Sequence, residues 1–182
     1  MNIEIRANGT LSATGKTLHG YAAVFNSEAN LGTFSEVLRP GVFAKSLATG
    51  SNVRALYHHD GSALLGTTRG GTLELREDAK GLAFKLALPD TSHGRDVAIL
   101  VDRGDLQNCS FGFRVAPGGD RWQDVNGQMV RELLEVELLE VTLTADPAYQ
   151  DTTVAMRSMP SAGFCLIDPT PHNNNYLWLR TI

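Results

Sequence analysis

Cysteine is scarce: Cys109 and Cys165 are the two in 182 residues. Two unpatterned cysteines exclude a disulfide scaffold, which packs several bridges into a short secreted chain, and read as reduced thiols of a cytosolic protein. Long apolar runs are missing as well. The uninterrupted stretches are a few residues long, far short of the ~20 that a membrane helix needs. The opening residues, MNIEIRANGT, lack the basic-then-apolar layout of a signal peptide. A soluble protein with no membrane partner is expected. Positive charge is not in excess either, with 16 Lys+Arg against 20 Asp+Glu and a net charge of -4. A nucleic-acid binder normally carries a basic domain or stripe, so no direct nucleic-acid contact is expected.

What is present is a chain of ordinary globular composition, 42% hydrophobic and 20% charged. It is long enough to bury one core without metal or disulfide staples. Glycine is frequent, at 18 residues, and the apolar pattern mostly alternates, which favours strands. Residues 18–25 read as a strand with Tyr21, Ala23 and Phe25 on one face. Residues 40–47 read as a short helix opened by Pro40 and stopped by Gly50. Residues 53–59 read as a strand with Val53, Ala55, Tyr57 and His59 on one face and His58 on the other. A hairpin spans 72–88, and a helix follows over 92–102 with Gly104 as its stop. Residues 108–115 alternate Cys109, Phe111, Phe113 and Val115 against Ser110 and Gly112. Further strands surround Trp122 and run over 130–143. From 158 the chain turns rich in proline and asparagine. The expected layout is one β-rich α+β domain over 1–157 and a tail over 158–182.

Few residues offer chemistry. His58-His59-Asp60 is the one local polar cluster around a histidine, placed where a strand gives way to a loop. Histidine is the commonest general base, although many strand-end histidines only meet solvent. Adjacent strand residues point apart, and neither His-Glu-x-x-His nor Cys-x-x-Cys occurs, so no metal or other cofactor is expected. Ser110 lies opposite the apolar face of its strand, and Gly112 leaves room beside it. Asn108 replaces the first glycine of a Gly-x-Ser-x-Gly elbow, which disfavours an α/β-hydrolase. A nucleophilic serine needs a base, and the base an orienting partner. Carboxylates stand at Glu135, Glu137 and Glu140. Unbroken alternation puts Glu140 on the face of Leu138, but the pair Leu138-Leu139 leaves the phase open to a bulge.

His59-Asp60, Ser110-Phe111-Gly112-Phe113, Leu139-Glu140-Val141-Thr142 and Pro147-Ala148-Tyr149 follow one another in an order that resembles the HK97-type phage prohead (procapsid) maturation proteases. Gly20-Tyr21-Ala22-Ala23-Val24-Phe25-Asn26, Arg39-Pro40-Gly41-Val42-Phe43, Leu65-Gly66-Thr67-Thr68 and Gly94-Arg95-Asp96 fit the same pattern, which covers roughly residues 18–157. Cys109 and Thr142 depart from the methionine and serine usual at those places. The resemblance implies a small β-barrel flanked by helices, like that of the herpesvirus assembly proteases. It implies a serine endopeptidase with His59 as base, Ser110 as nucleophile and Glu140 as third member, with Asp60 the alternative. The implied substrates are scaffold segments, the major capsid protein and the protease itself. Self-association and contacts with portal and other procapsid proteins also follow, inside a procapsid in the host bacterial cytoplasm. The competing class is a non-catalytic structural or assembly protein of the procapsid on the same fold.

Overall fold

In the computed structural model, which describes residues 3–145, the alternating apolar pattern becomes twelve strands and two short helices. The Pro147-Ala148-Tyr149 motif, Cys165, and the domain boundary at 157/158 with its tail lie outside the described residues. The strands are β1 (Glu4–Thr14), β2 (Thr17–Val24), β3 (Glu28–Asn30), β4 (Ser35–Leu38), β5 (Arg54–Tyr57), β6 (Asp60–Thr67), β7 (Leu73–Glu77), β8 (Gly81–Ala87), β9 (Asn108–Val115), β10 (Asp120–Val125), β11 (Gln128–Leu133) and β12 (Val136–Thr144). The helices are α1 (Ala44–Ala48) and α2 (Ser92–Asp102).

Eight strands form one sheet in the order β6-β5-β12-β9-β1-β2-β8-β7. The sheet curls until its two ends nearly meet: the Thr67 amide on β6 donates to Thr72 Oγ1 beside β7 at 3.0 Å. The β5–β12 pair is parallel, and the other pairs are antiparallel. The result is a β-rich α+β fold, a nearly closed barrel with few helices. Leu18, Phe84, Phe111, Phe113 and Val141 are buried inside it, and Phe43 from the turn before α1 joins them. Phe111 stacks on Phe113 at 5.3 Å and meets Phe43 edge-on at 5.5 Å, geometries that aromatic rings favour.

A second sheet, β10-β11-β4-β3, packs on the barrel through buried charge. Arg131 on β11 donates to Glu4 at 2.7 Å, Glu36 at 3.1 Å and Asp120 at 2.8 Å, while Arg6 on β1 donates to Glu36 at 2.6 Å and Glu4 at 2.9 Å. Burying such charges is tolerated only where each is paired and hydrogen-bonded, as here.

Two expectations are corrected by register. Residues 130–143 are not one strand: β11 and β12 belong to different sheets. The chain breaks at Leu134-Glu135, whose amides both turn to the Gly119 carbonyl at 2.8 and 3.0 Å. Gly119 is needed there, because a Cβ would lie 2.2 Å from the Glu135 carbonyl oxygen. In β2 the register shifts between Tyr21 and Ala23. That bulge turns Tyr21 outward to donate to Asp78 at 2.9 Å, while Ala23 and Phe25 stay inside.

Candidate active site

His58 and His59 are not strand residues. β5 ends at Tyr57 and β6 starts at Asp60, so the two histidines form a two-residue hairpin turn. Both hold positive φ, 51° and 59°, as a type I′ turn requires. Asn-Gly is the usual choice there, and a bulkier residue is strained by roughly 1–2 kcal/mol. The turn also overrides strand alternation: both side chains reach β12 rather than opposite faces. His58 Nδ1 meets Thr144 Oγ1 at 3.3 Å, and His59 Nδ1 meets Glu140 Oε1 at 2.7 Å.

β9 holds the serine where its sequence pattern put it. Cys109, Phe111 and Phe113 are buried in the barrel, and Ser110 and Gly112 face the other side. On β12 the register against β9 shifts between Leu138 and Glu140, so Leu139 is the extra residue of a bulge. Leu138, Val141 and Leu143 point into the core, and Glu140 moves to the face of Ser110. The Leu138 amide next to the bulge donates to Ser46 Oγ of α1 at 2.9 Å, which ties the irregular backbone down. Gly112 makes the space: Glu140 lies across from it, and a Cβ there would stand 2.8 Å from Glu140 Cγ.

These three elements bring His59, Ser110 and Glu140 into one chain of contacts. Ser110 Oγ lies 3.0 Å from His59 Nε2, and His59 Nδ1 lies 2.7 Å from Glu140 Oε1. A carboxylate only accepts hydrogen bonds, so Nδ1 carries the proton and Nε2 is left to accept from the Ser110 hydroxyl. Glu140 is buried but doubly held, since Arg54 Nη2 donates to its Oε2 at 3.2 Å. Arg54 was not legible as a site residue. It reaches Glu140 because β5 and β12 pair in parallel with Arg54 opposite Glu140, a register that no local pattern announces.

Asp60 does not join the chain of contacts. Its carboxylate accepts from the Ser62 amide at 2.8 Å and the Ser62 hydroxyl at 2.6 Å, which lower its pKa and make it a turn cap. Cys109 next to the serine is buried among apolar side chains, and burial pushes its thiol up to about 12. A thiol held neutral is a poor nucleophile. Among the described residues no three His, Cys, Asp or Glu side chains gather as a metal site would need, and no helix is long and apolar enough to cross a membrane.

A serine–imidazole–carboxylate relay can move a proton off a hydroxyl as it attacks an acyl carbon. No curated protein matches the sequence. Among solved structures, the bacteriophage T4 capsid assembly protease gp21 is similar, with a TM-score of 0.52 at 10% identity, over 80% of this chain and 98% of that one. At that identity the likeness is one of fold. The family pattern described as Caudovirus prohead serine protease matches residues 1–162, which takes in every residue of the relay, and the chain belongs to that family.

Proposed function

We propose that the protein is the serine endopeptidase of phage procapsid maturation, with Ser110 as nucleophile, His59 as general base and Glu140 as the orienting carboxylate. The observation that carries the reading is the unbroken relay of 3.0 and 2.7 Å from hydroxyl to imidazole to carboxylate. Ser110 attacks the scissile carbonyl as its proton passes to His59 Nε2. The imidazolium then protonates the leaving amine, and water repeats the cycle on the acyl-enzyme. Glu140 keeps the ring in the tautomer that accepts from serine and stabilises the imidazolium, and Arg54 keeps Glu140 aimed.

Its substrates are scaffold segments, the major capsid protein and the protease itself. It works inside the procapsid in the host bacterial cytoplasm, in contact with copies of itself and with other procapsid proteins. The strained backbone at His59 speaks against a vestigial site. A structural protein would gain stability by placing Asn or Gly in that turn.

The test is co-expression with the major capsid protein. The wild type should trim the capsid protein, and Ser110→Ala and His59→Ala should each leave it at full length. Trimming at the normal rate by either variant would overturn the proposal.

A further inference from the structure

Thr142 is a buried polar residue that the relay does not use. It stands directly opposite Ser110 in the β9–β12 register, so both side chains rise from the same face. Both residues are 0% exposed. Thr142 Oγ1 is enclosed and has no hydrogen-bond partner among the described residues. Its neighbours at two-residue steps on that face are engaged: Glu140 with His59, and Thr144 with His58. An unpartnered buried hydroxyl is destabilising, and valine would fill the same space without that penalty.

Ser110 is the group in a position to use it. Its proton is committed to His59 Nε2, which leaves the lone pairs of Oγ open. Side chains directly opposite in antiparallel strands have Cβ atoms ~4.5–5.5 Å apart, and Thr–Ser pairs at this spacing form hydrogen bonds. Rotation about the Cα–Cβ bond of Thr142 therefore brings its hydroxyl within reach of Ser110 Oγ.

We infer that Thr142 is a hydrogen-bond donor to the nucleophile, engaged when charge develops on Ser110 Oγ. The inference rests on the function proposed above and adds a residue to that site. During attack the Ser110 proton moves to His59 Nε2, the Oγ–carbon bond forms, and the carbonyl π pair moves onto its oxygen. Thr142 keeps its own proton throughout and donates to Oγ as that atom loses its hydrogen. It donates again in deacylation, when the Oγ–carbon bond breaks and Oγ recovers the electron pair. A donor idle in the resting state and engaged as charge develops lowers the barrier rather than strengthening substrate binding.

The experiment measures saturation kinetics of fluorophosphonate labelling and the thermal midpoint for wild type, Thr142→Val, Thr142→Ser and Ser110→Ala. Thr142→Val should label about 10–100-fold more slowly at saturation, with half-saturation within about twofold of wild type. It should also melt about 2–6 °C higher, because the orphaned hydroxyl is gone. Thr142→Ser should recover most of the rate. Wild-type labelling by Thr142→Val would overturn the inference. So would slow labelling coupled to a lowered midpoint, or a Thr142→Ser variant as slow as the valine. Ser110→Ala separates the two levels: undiminished labelling there would remove the proposed nucleophile itself, whatever Thr142 does.

Discussion

Gly112→Ala tests the site through a single added methyl group. The new Cβ would stand 2.8 Å from Glu140 Cγ, 3.2 Å from its Cδ and 3.3 Å from Oε1. Carbon atoms settle at ~3.5–4.0 Å, so Glu140 must move away by about 1 Å. The carboxylate–imidazole contact is 2.7 Å at rest, and a retreat of that size takes it past hydrogen-bond range. Misplacement by ~1 Å in a catalytic array costs about 100-fold in rate. The same overpacking destabilises a fold by about 1–3 kcal/mol, which a domain with ~5–15 kcal/mol of stability survives. The variant should therefore remain folded, as read by its thermal melt, and label with a fluorophosphonate about 100-fold more slowly. Gly61→Ala is the control, since a Cβ there meets nothing within 4 Å. A folded Gly112→Ala protein that labels within about threefold of wild type would refute the claim that Glu140 works by orienting His59.

Two further predictions concern the frame. Arg131 is 1% exposed and holds Glu4, Glu36 and Asp120 at once, so Arg131→Met takes the two-bond partner from buried Glu4 and leaves Arg6, among the described residues, as the one cation for both Glu4 and Glu36; it should cost about 3–5 kcal/mol in urea unfolding, and a loss under about 1 kcal/mol would show that the two sheets do not depend on this network. Hydrogen bonds from Arg39 and then Arg121 hold the Glu132 carboxyl below its ordinary 4.5. With the folded value depressed, that stabilisation is present above the ordinary value and is lost as pH falls through the depressed one. Melting temperatures of wild type and Glu132→Gln should thus differ most near neutrality and draw together as pH falls below the ordinary 4.5; a gap that stays constant through that fall would contradict the assignment.

Strands with a clean period of two were legible in the sequence, and so were the residues they carry. β9 is the clearest case: large apolar side chains at Cys109, Phe111 and Phe113 fixed the phase, and Ser110 fell on the other face as expected. The helix over Ser92–Asp102 was equally readable, because Gly104 stops it at φ 80°; Thr91 caps its other end by accepting from the Gly94 amide. What stayed open or escaped were the places where alternation is broken. The bulge at Leu139 decides which face Glu140 takes, and it depends on pairing with β9 and on Ser46 of α1, both far along the chain. The turn at His58-His59 hides because histidine is a poor indicator of positive φ, and strain at such a position is the mark of a functional constraint. Arg54 and Thr142 owe their places to cross-strand register alone.

On the mechanism proposed above, Ser110 is the one serine that its neighbours activate. The most direct test is to incubate the intact protein with a fluorophosphonate, digest it, and map the adduct by tandem mass spectrometry. A single adduct is expected, on Ser110, and it should vanish in His59→Ala. An adduct on another serine, or equal labelling of Ser110 with and without His59, would contradict that mechanism.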